Sequence, residues 1–277
     1  MAGRVEGKVA FITGAARGQG RSHALRLAQE GADIIAVDLC AQIPTVEYPM
    51  STERDLAETV SLVEALDRRI VASIADVRDG AALAAVLRAG VAQLGGSLDI
   101  VCANAGILAI TLDEPVDPQD RRRVWQDTID VNLTGVWNAI EAARPIMVQA
   151  GNGGTIVITS SAAGLAPLAN NSVAMDAYAT AKHALVGLTR NLAFDLAPHR
   201  IRVNSIHPSG VHTPLIDNTV FEEYMGANPE FAERMGNALP VDAVEPSDIS
   251  NAIVYLAADS GRYVTGVQLP VDAGQLL

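Results

Sequence analysis

Lysine is almost missing from this chain: of its twenty basic residues only Lys8 and Lys182 are lysine, and the rest are arginine. Cysteine is as scarce. Cys40 and Cys102 lack metal-ligand spacing, so they read as reduced thiols buried at the ends of apolar runs, and no metal site is expected. Positive charge is in deficit, and a net charge of −12 argues against nucleic acid and against an anionic membrane surface. No run of 18 apolar residues occurs and the first eight residues carry no signal-peptide core, so the expected address is the cytoplasm. Aromatics make up only 4 % against 49 % hydrophobic residues. Such a core is built from Ala, Val, Ile and Leu, which suits a sheet sandwiched between Ala-rich helices.

What is present is alternation. Short β-branched runs at 8–13, 32–38, 70–75, 98–103, 154–160, 201–207 and 267–271 read as strands. Between them, residues 18–30, 55–66, 80–94, 120–150, 177–196 and 246–258 have helical period. Strand–helix alternation demands crossovers, hence an α/β fold with a parallel sheet covered on both faces. No linker or repeat interrupts residues 1–277, which read as one domain. Two segments exceed the usual connection: 40–54, irregular and proline-containing, and 213–239, which carries Phe221, Tyr224, Met225, Phe231 and Met235. Long excursions beyond strand ends commonly build ligand sites, so 213–239 is expected to be a substrate lid.

The turn after the first strand reads Thr13-Gly14-Ala15-Ala16-Arg17-Gly18-Gln19-Gly20. Glycines at this spacing permit a tight turn, close approach of backbone to a pyrophosphate, and close helix–strand packing. The helix N-terminus then offers free N–H groups to the phosphates. Asp38 ends the second strand, where a carboxylate accepts from adenosine ribose hydroxyls and repels a 2′-phosphate, favouring NAD over NADP. Asp76-Val77 is placed for an adenine edge, and Asn104-Ala105-Gly106 for close approach to the cofactor with Asn104 bracing the strands.

Tyr178 and Lys182 stand four apart on an expected helix and so share a face. A phenol near pKa 10 is a poor base at neutral pH, and a neighbouring ammonium is expected to lower that value. A composition that uses arginine almost everywhere else keeps lysine here. Ser161, after the fifth strand, is placed to donate to a substrate oxygen. Asn132 is placed to hold a water linking Lys182 to solvent.

These motifs, in this order and over nearly the whole chain, resemble the short-chain dehydrogenase/reductase family. The resemblance covers residues 13–20, 104–106, Asn132, Ser161, Tyr178 with Lys182, Pro208-Ser209-Gly210, and Thr265-Gly266 through Gly274. It implies a seven-stranded parallel Rossmann sheet, NAD as cofactor, a catalytic tetrad of Asn132, Ser161, Tyr178 and Lys182, and a homotetramer. Cofactor contacts are implied for Gly14, Ala16, Arg17, Gly18, Gln19, Gly20, Asp38, Leu39, Asp76, Val77, Asn104, Ala105, Gly106, Tyr178, Lys182, Pro208, Val211 and Thr213. Three departures stand out: Ala103 replaces the first asparagine of the usual pattern, Ser161 and Tyr178 are 17 apart instead of about 13, and 40–54 is inserted. The last two look like the mycofactocin-coupled, carveol-dehydrogenase-like subgroup. There the insertion is taken to cover the NAD, so that an external redox carrier must regenerate it. The reaction expected is interconversion of a hydrophobic secondary alcohol, such as a cyclic terpenoid, and its ketone. A reductase of acyl thioesters or steroids on the same scaffold, and a non-catalytic NAD(H)-binding protein, remain alternatives.

Overall fold

The computed structural model describes residues 3–168 and 170–277; Met1 and Ala2, part of the segment read above for targeting, lie outside the described residues. Seven strands, β1 (Val9–Thr13), β2 (Asp33–Asp38), β3 (Ile70–Ile74), β4 (Ile100–Ala103), β5 (Gly154–Thr159), β6 (Ile201–Pro208) and β7 (Gln268–Val271), form one parallel sheet in the order β3-β2-β1-β4-β5-β6-β7. Each falls within two residues of its expected range. β1, β2 and β4 are buried along their whole length, whereas the edge strands β3 and β7 are half-exposed. That gradient follows from position, since an edge strand has sheet on one side only.

Nine α-helices connect the strands among the described residues: α1 (Gly18–Gln29), α2 (Glu53–Glu64), α3 (Gly80–Gln93), α4 (Pro118–Ile129), α5 (Gly135–Ala150), α6 (Val173–Leu196), α7 (Thr219–Ala227), α8 (Pro229–Arg234) and α9 (Pro246–Ala257). Successive strand residues feed opposite faces. Phe11 and Ile35 pack with Leu83 of α3, Ile140 of α5 and Leu185 of α6. Ile12 and Ile34 pack with Leu27 of α1, Val63 of α2 and Ile253 of α9. Each such fully buried side chain stabilises the fold by about 1.5–3 kcal/mol. The result is a three-layer Rossmann-like sandwich. Among the described residues no helix is long and apolar enough to cross a membrane.

The helix expected over 120–150 is divided. A π-helical turn, Asp130–Thr134, separates α4 from α5. Its cause is tertiary: the carboxamide of buried Asn132 is drawn to the backbone of Ile107, accepting from N at 2.8 Å and donating to O at 2.8 Å. α6 begins at Val173, four residues before the expected start, because the Val173 N–H finds a remote cap in Glu114 Oε1 at 2.7 Å. The excursion 213–239 contains α7 and α8, and the insertion 40–54 runs into the first turn of α2.

Candidate active site

The strand order reverses direction between β1 and β4, and their carboxyl ends open the crevice where open parallel sheets bind ligands. Asn104 knits that edge together. Its Nδ2 donates to Thr13 O at 3.0 Å, its N donates to Thr13 Oγ1 at 3.1 Å, and its Oδ1 accepts from Thr159 Oγ1 at 3.3 Å. One cavity runs along the whole crevice.

At one end lies the Gly-rich turn. Gly14 has φ +68°, and a Cβ there would come within 2.9 Å of Ala105 Cα. At Gly20 a Cβ would meet the Gly14 carbonyl oxygen at 2.0 Å, so α1 packs on the turn only because no side chain intervenes. Asp38 lines the cavity and organises it as well. Its Oδ2 accepts from Ala16 N at 2.9 Å, and its Oδ1 accepts from Ser51 Oγ at 2.6 Å and Cys40 N at 3.2 Å. Asp76 is not a free acceptor. Burial would raise its pKa, but the Arg78 guanidinium, bonded at 2.6–3.0 Å, holds the carboxyl below its usual range.

At the other end Ser161, Tyr178 and Lys182 meet on the cavity wall. Lys182, only 3 % exposed, donates from Nζ to Thr159 O at 2.9 Å and lies 5.5 Å from the centre of the Tyr178 ring. The other lysine, Lys8, is half-exposed and pairs with Asp99 at 3.1 Å on the opposite edge of the sheet. The Ser161 hydroxyl accepts from Ala163 N at 3.1 Å and is hydrogen-bonded to Tyr178.

The electrostatics differ from the expectation that Lys182 would lower the tyrosine. Burial raises the Tyr178 pKa above its ordinary value, with the Ser161 hydrogen bond acting in the opposite sense. Burial instead acts on the lysine, pushing it down to about 8. In a dry site both partners move toward neutrality, because desolvation penalises each charged form before either ion helps the other. The phenol is therefore the default acid at neutral pH, and removing its proton is work that rising pH makes easier. For the secondary-alcohol oxidation expected from the sequence, the rate should rise from pH 7 toward 8, approaching about tenfold per unit, and level off above about 8, where Lys182 loses its charge, while ketone reduction gains nothing. Paired pH–rate profiles check this; a flat oxidation profile would remove Tyr178 as the titrating group.

Of the residues expected at the cofactor, Gly14, Arg17, Gly18, Gln19, Gly20, Asp38, Leu39, Asp76, Val77, Asn104, Ala105, Gly106, Tyr178, Lys182, Pro208, Val211 and Thr213 all line the cavity. Two expected residues do not. Ala16 is fully buried behind the turn, its N–H spent on Asp38. Asn132, expected among the catalytic residues, lies off the lining with its carboxamide clamped on the backbone of Ile107.

Sequence reasoning missed the depth to which 40–54 enters the site. Ile43, Tyr48, Met50 and Ser51 line the cavity, and the hydroxyl of buried Tyr48 accepts from Leu108 N at 3.4 Å. Burial pushes that phenol up to about 12, so it remains a donor. The segment is fastened at Arg17, whose guanidinium donates to Pro49 O at 2.6 Å, and at Asp127 of α4, which accepts from Thr45 Oγ1 at 2.7 Å. An aromatic residue amid a polar insertion was the available signal. Gln275, near the carboxyl terminus, also reaches the wall, and no local pattern announces it. The far wall is apolar, with Ile110, Leu168, Met175, Leu215, Phe221 and Phe231. Tyr224 and Phe231 meet edge to face at 6.0 Å, and Asn170, from the lengthened Ser161–Tyr178 segment, donates to the Tyr224 hydroxyl.

Residues 14–275 match a family model described as Enoyl-(Acyl carrier protein) reductase. The chain is 47 % identical to (-)-trans-carveol dehydrogenase of Rhodococcus erythropolis, over 99 % of both chains. It superposes on the crystal structure of carveol dehydrogenase from Mycobacterium avium in complex with NAD with a TM-score of 0.89, at 49 % identity over 99 % of each chain. A short chain dehydrogenase from Mycobacterium paratuberculosis bound to NAD is similar with a TM-score of 0.88, at 45 % identity over 99 % of each.

Proposed function

The chain belongs to the short-chain dehydrogenase/reductase family, and from that premise we propose that it is an NAD-dependent dehydrogenase of hydrophobic cyclic secondary alcohols. The observation that carries the reading is the meeting of Ser161, Tyr178 and Lys182 on the wall of a cavity that continues onto the Gly-rich turn. The pyrophosphate would be held by residues 14–20 and the start of α1, the adenosine ribose by Asp38, the nicotinamide ribose by Tyr178 and Lys182, and the carboxamide by Val211 and Thr213. The turn fits such a group, since its glycines leave a cradle that a single Cβ would fill. Bound NAD⁺ supplies the hydride acceptor. The residues supply the rest: Ser161 orients the alcohol oxygen, Tyr178 takes its proton, and Lys182 stabilises the phenolate so formed.

The apolar wall supports an alicyclic, terpenoid-like substrate. Asp38 speaks against the acyl-thioester reductase reading, because a unit charge at ~4 Å from a 2′-phosphate costs about 1 kcal/mol in water and about 4 at a protein surface. A single turnover of the NAD-loaded enzyme with carveol, followed as NADH absorbance, tests the assignment; no NADH formed, or preference for NADP⁺, would overturn it.

We read residues 1–277 as one domain in which 40–54 covers the cofactor and 213–239 walls the substrate. Tyr48 and the Thr45–Asp127 fastening support retention of NAD between turnovers, hence regeneration by an external redox carrier. Thr45→Val removes one hydrogen bond to a carboxylate, worth about 1.5–3 kcal/mol. NAD release from that variant is expected to be roughly tenfold faster by stopped flow, and an unchanged rate would show that the insertion is no cover. Exposed Trp125, Trp137 and Phe194 support self-association, for which we propose a homotetramer to be checked by light scattering. A cytoplasmic setting fits this reading.

A further inference from the structure

Strand pairing between β5 and β6 ends at Thr159 and Ile206, and the last ladder bond is Ser160 N to Ile206 O at 2.9 Å. The chain then leaves the sheet for a 3-10 turn, in which the carbonyl of Ser161 accepts from Gly164 N at 2.9 Å. That bond is local to the turn, and a carbonyl oxygen has room for a second donor that can tie the turn to the sheet. His207, on β6 and fully buried, supplies it: its Nδ1 lies 2.8 Å from Ser161 O. A carbonyl only accepts, so Nδ1 carries the proton. Nε2 is then the acceptor and takes the hydroxyl proton of Ser205, also fully buried, at 2.8 Å.

The neighbouring positions show how tightly this turn is held. Thr159 O accepts from Lys182 Nζ at 2.9 Å, and Ser160 Oγ donates to Lys182 O at 3.0 Å. Both of those fastenings run to α6. The carbonyl of Ser161 is fastened to β6 through the imidazole. Burial pushes the ring down to about 4, with Lys182 and His183 adding in the same direction and the bond to Ser161 opposing, so the neutral tautomer persists through the working range.

We propose that His207 is a positioning residue for the dehydrogenase reaction, holding the Ser161 backbone so that its hydroxyl stays on Tyr178 and on the substrate oxygen. The proposal rests on the function assigned above. It acts through Ser161 and touches neither substrate nor cofactor.

The test is a double-mutant cycle on the full-length enzyme with NAD⁺ and carveol. His207→Leu, which keeps bulk and loses the donor, is expected to lower kcat roughly 10- to 100-fold, the scale of a misplaced catalytic group. NAD affinity should stay within about twofold. His207→Asn keeps an N–H at similar reach and is expected to return most of the loss. In a Ser161→Ala background, His207→Leu should cost less than about twofold, because the group it positions is gone. An equal loss in both backgrounds overturns the proposal and leaves the functional reading standing; a wild type that oxidises no secondary alcohol overturns both. A second measurement needs no variant to fold. ¹⁵N NMR of the histidine-labelled protein should show Nδ1–H on His207 from pH 5.5 to 8.5, and the Nε2–H tautomer would overturn the proposal.

Discussion

Replacement of Tyr178 by Phe is expected to lower kcat for alcohol oxidation by about 10³-fold, within the range of 10²–10⁴ that a positioned acid–base group contributes. The ring stays, so packing against Lys182 at 5.5 Å from its centre and the wall of the cavity should persist. NAD affinity should change by no more than a few fold, since only one hydroxyl is lost among many contacts. The measurement pairs steady-state turnover with a binding titration. Near-normal turnover would remove Tyr178 from the chemistry, and loss of NAD binding would recast it as a cofactor-holding residue.

Gly20→Ala should strike the other end of the site as hard. The added Cβ would stand 2.0 Å from the Gly14 carbonyl oxygen, 2.7 Å from the Gly14 carbonyl carbon and 2.9 Å from Asn104 Nδ2. Backbone, not a flexible side-chain tip, is what it meets, so α1 must move away from the turn or the turn must open. Overpacking of this kind costs about 1–3 kcal/mol of stability. The larger effect falls on function: the N–H groups of the turn and of the first helical residues lose their common focus. NAD affinity is expected to fall by about two orders of magnitude, the penalty of roughly 1 Å of misplacement. Calorimetric titration checks the affinity and thermal unfolding the stability. A variant with unchanged NAD affinity would mean that the turn does not hold the pyrophosphate.

The two expectations separate the ends of one cavity. Loss of turnover with NAD bound would belong to Tyr178, and loss of NAD with Ser161, Tyr178 and Lys182 in place would belong to Gly20. Lys182 links them. Its ammonium sits where burial pushes it down to about 8, well below the unfolded value of 10.5. Between those two pH values the unfolded chain binds more protons than the folded one, so this residue's destabilising contribution shrinks as pH rises through that window. A buried lysine here costs stability at neutral pH, a cost that the proposed role toward the Tyr178 phenolate accounts for.

Residues whose roles follow from spacing were legible in advance. Gly14, Gly18 and Gly20 announced a tight turn at the cavity because backbone freedom leaves a mark in residue type. Tyr178 and Lys182 declared a shared face because four residues make one helical turn. The seven strands were legible for the same reason: β-branched runs bounded by helical period describe a sheet buried on both faces, whatever their partners. Asn132 was legible as a residue and not as a geometry. The pull of Ile107, 25 positions away, turns an expected continuous helix into α4, a π-turn and α5. Glu114 starts α6 early from 59 positions away. No window of local sequence contains both members of either pair.

By itself, then, the chain determined the parallel α/β sandwich, the Gly-rich turn and the pairing of a phenol with a lysine, since each depends on periodicity or on neighbours within one turn of helix. Tertiary structure decided which groups share a cavity, that 40–54 carries Tyr48 into it, that Asp38 fastens the insertion to the Gly-rich turn, and that His207 stands behind Ser161. It also decided the sign of the Tyr178 shift. Hydrogen-bond partners and dielectric are properties of what packs around a group, and burial enters only once distant segments have closed over it.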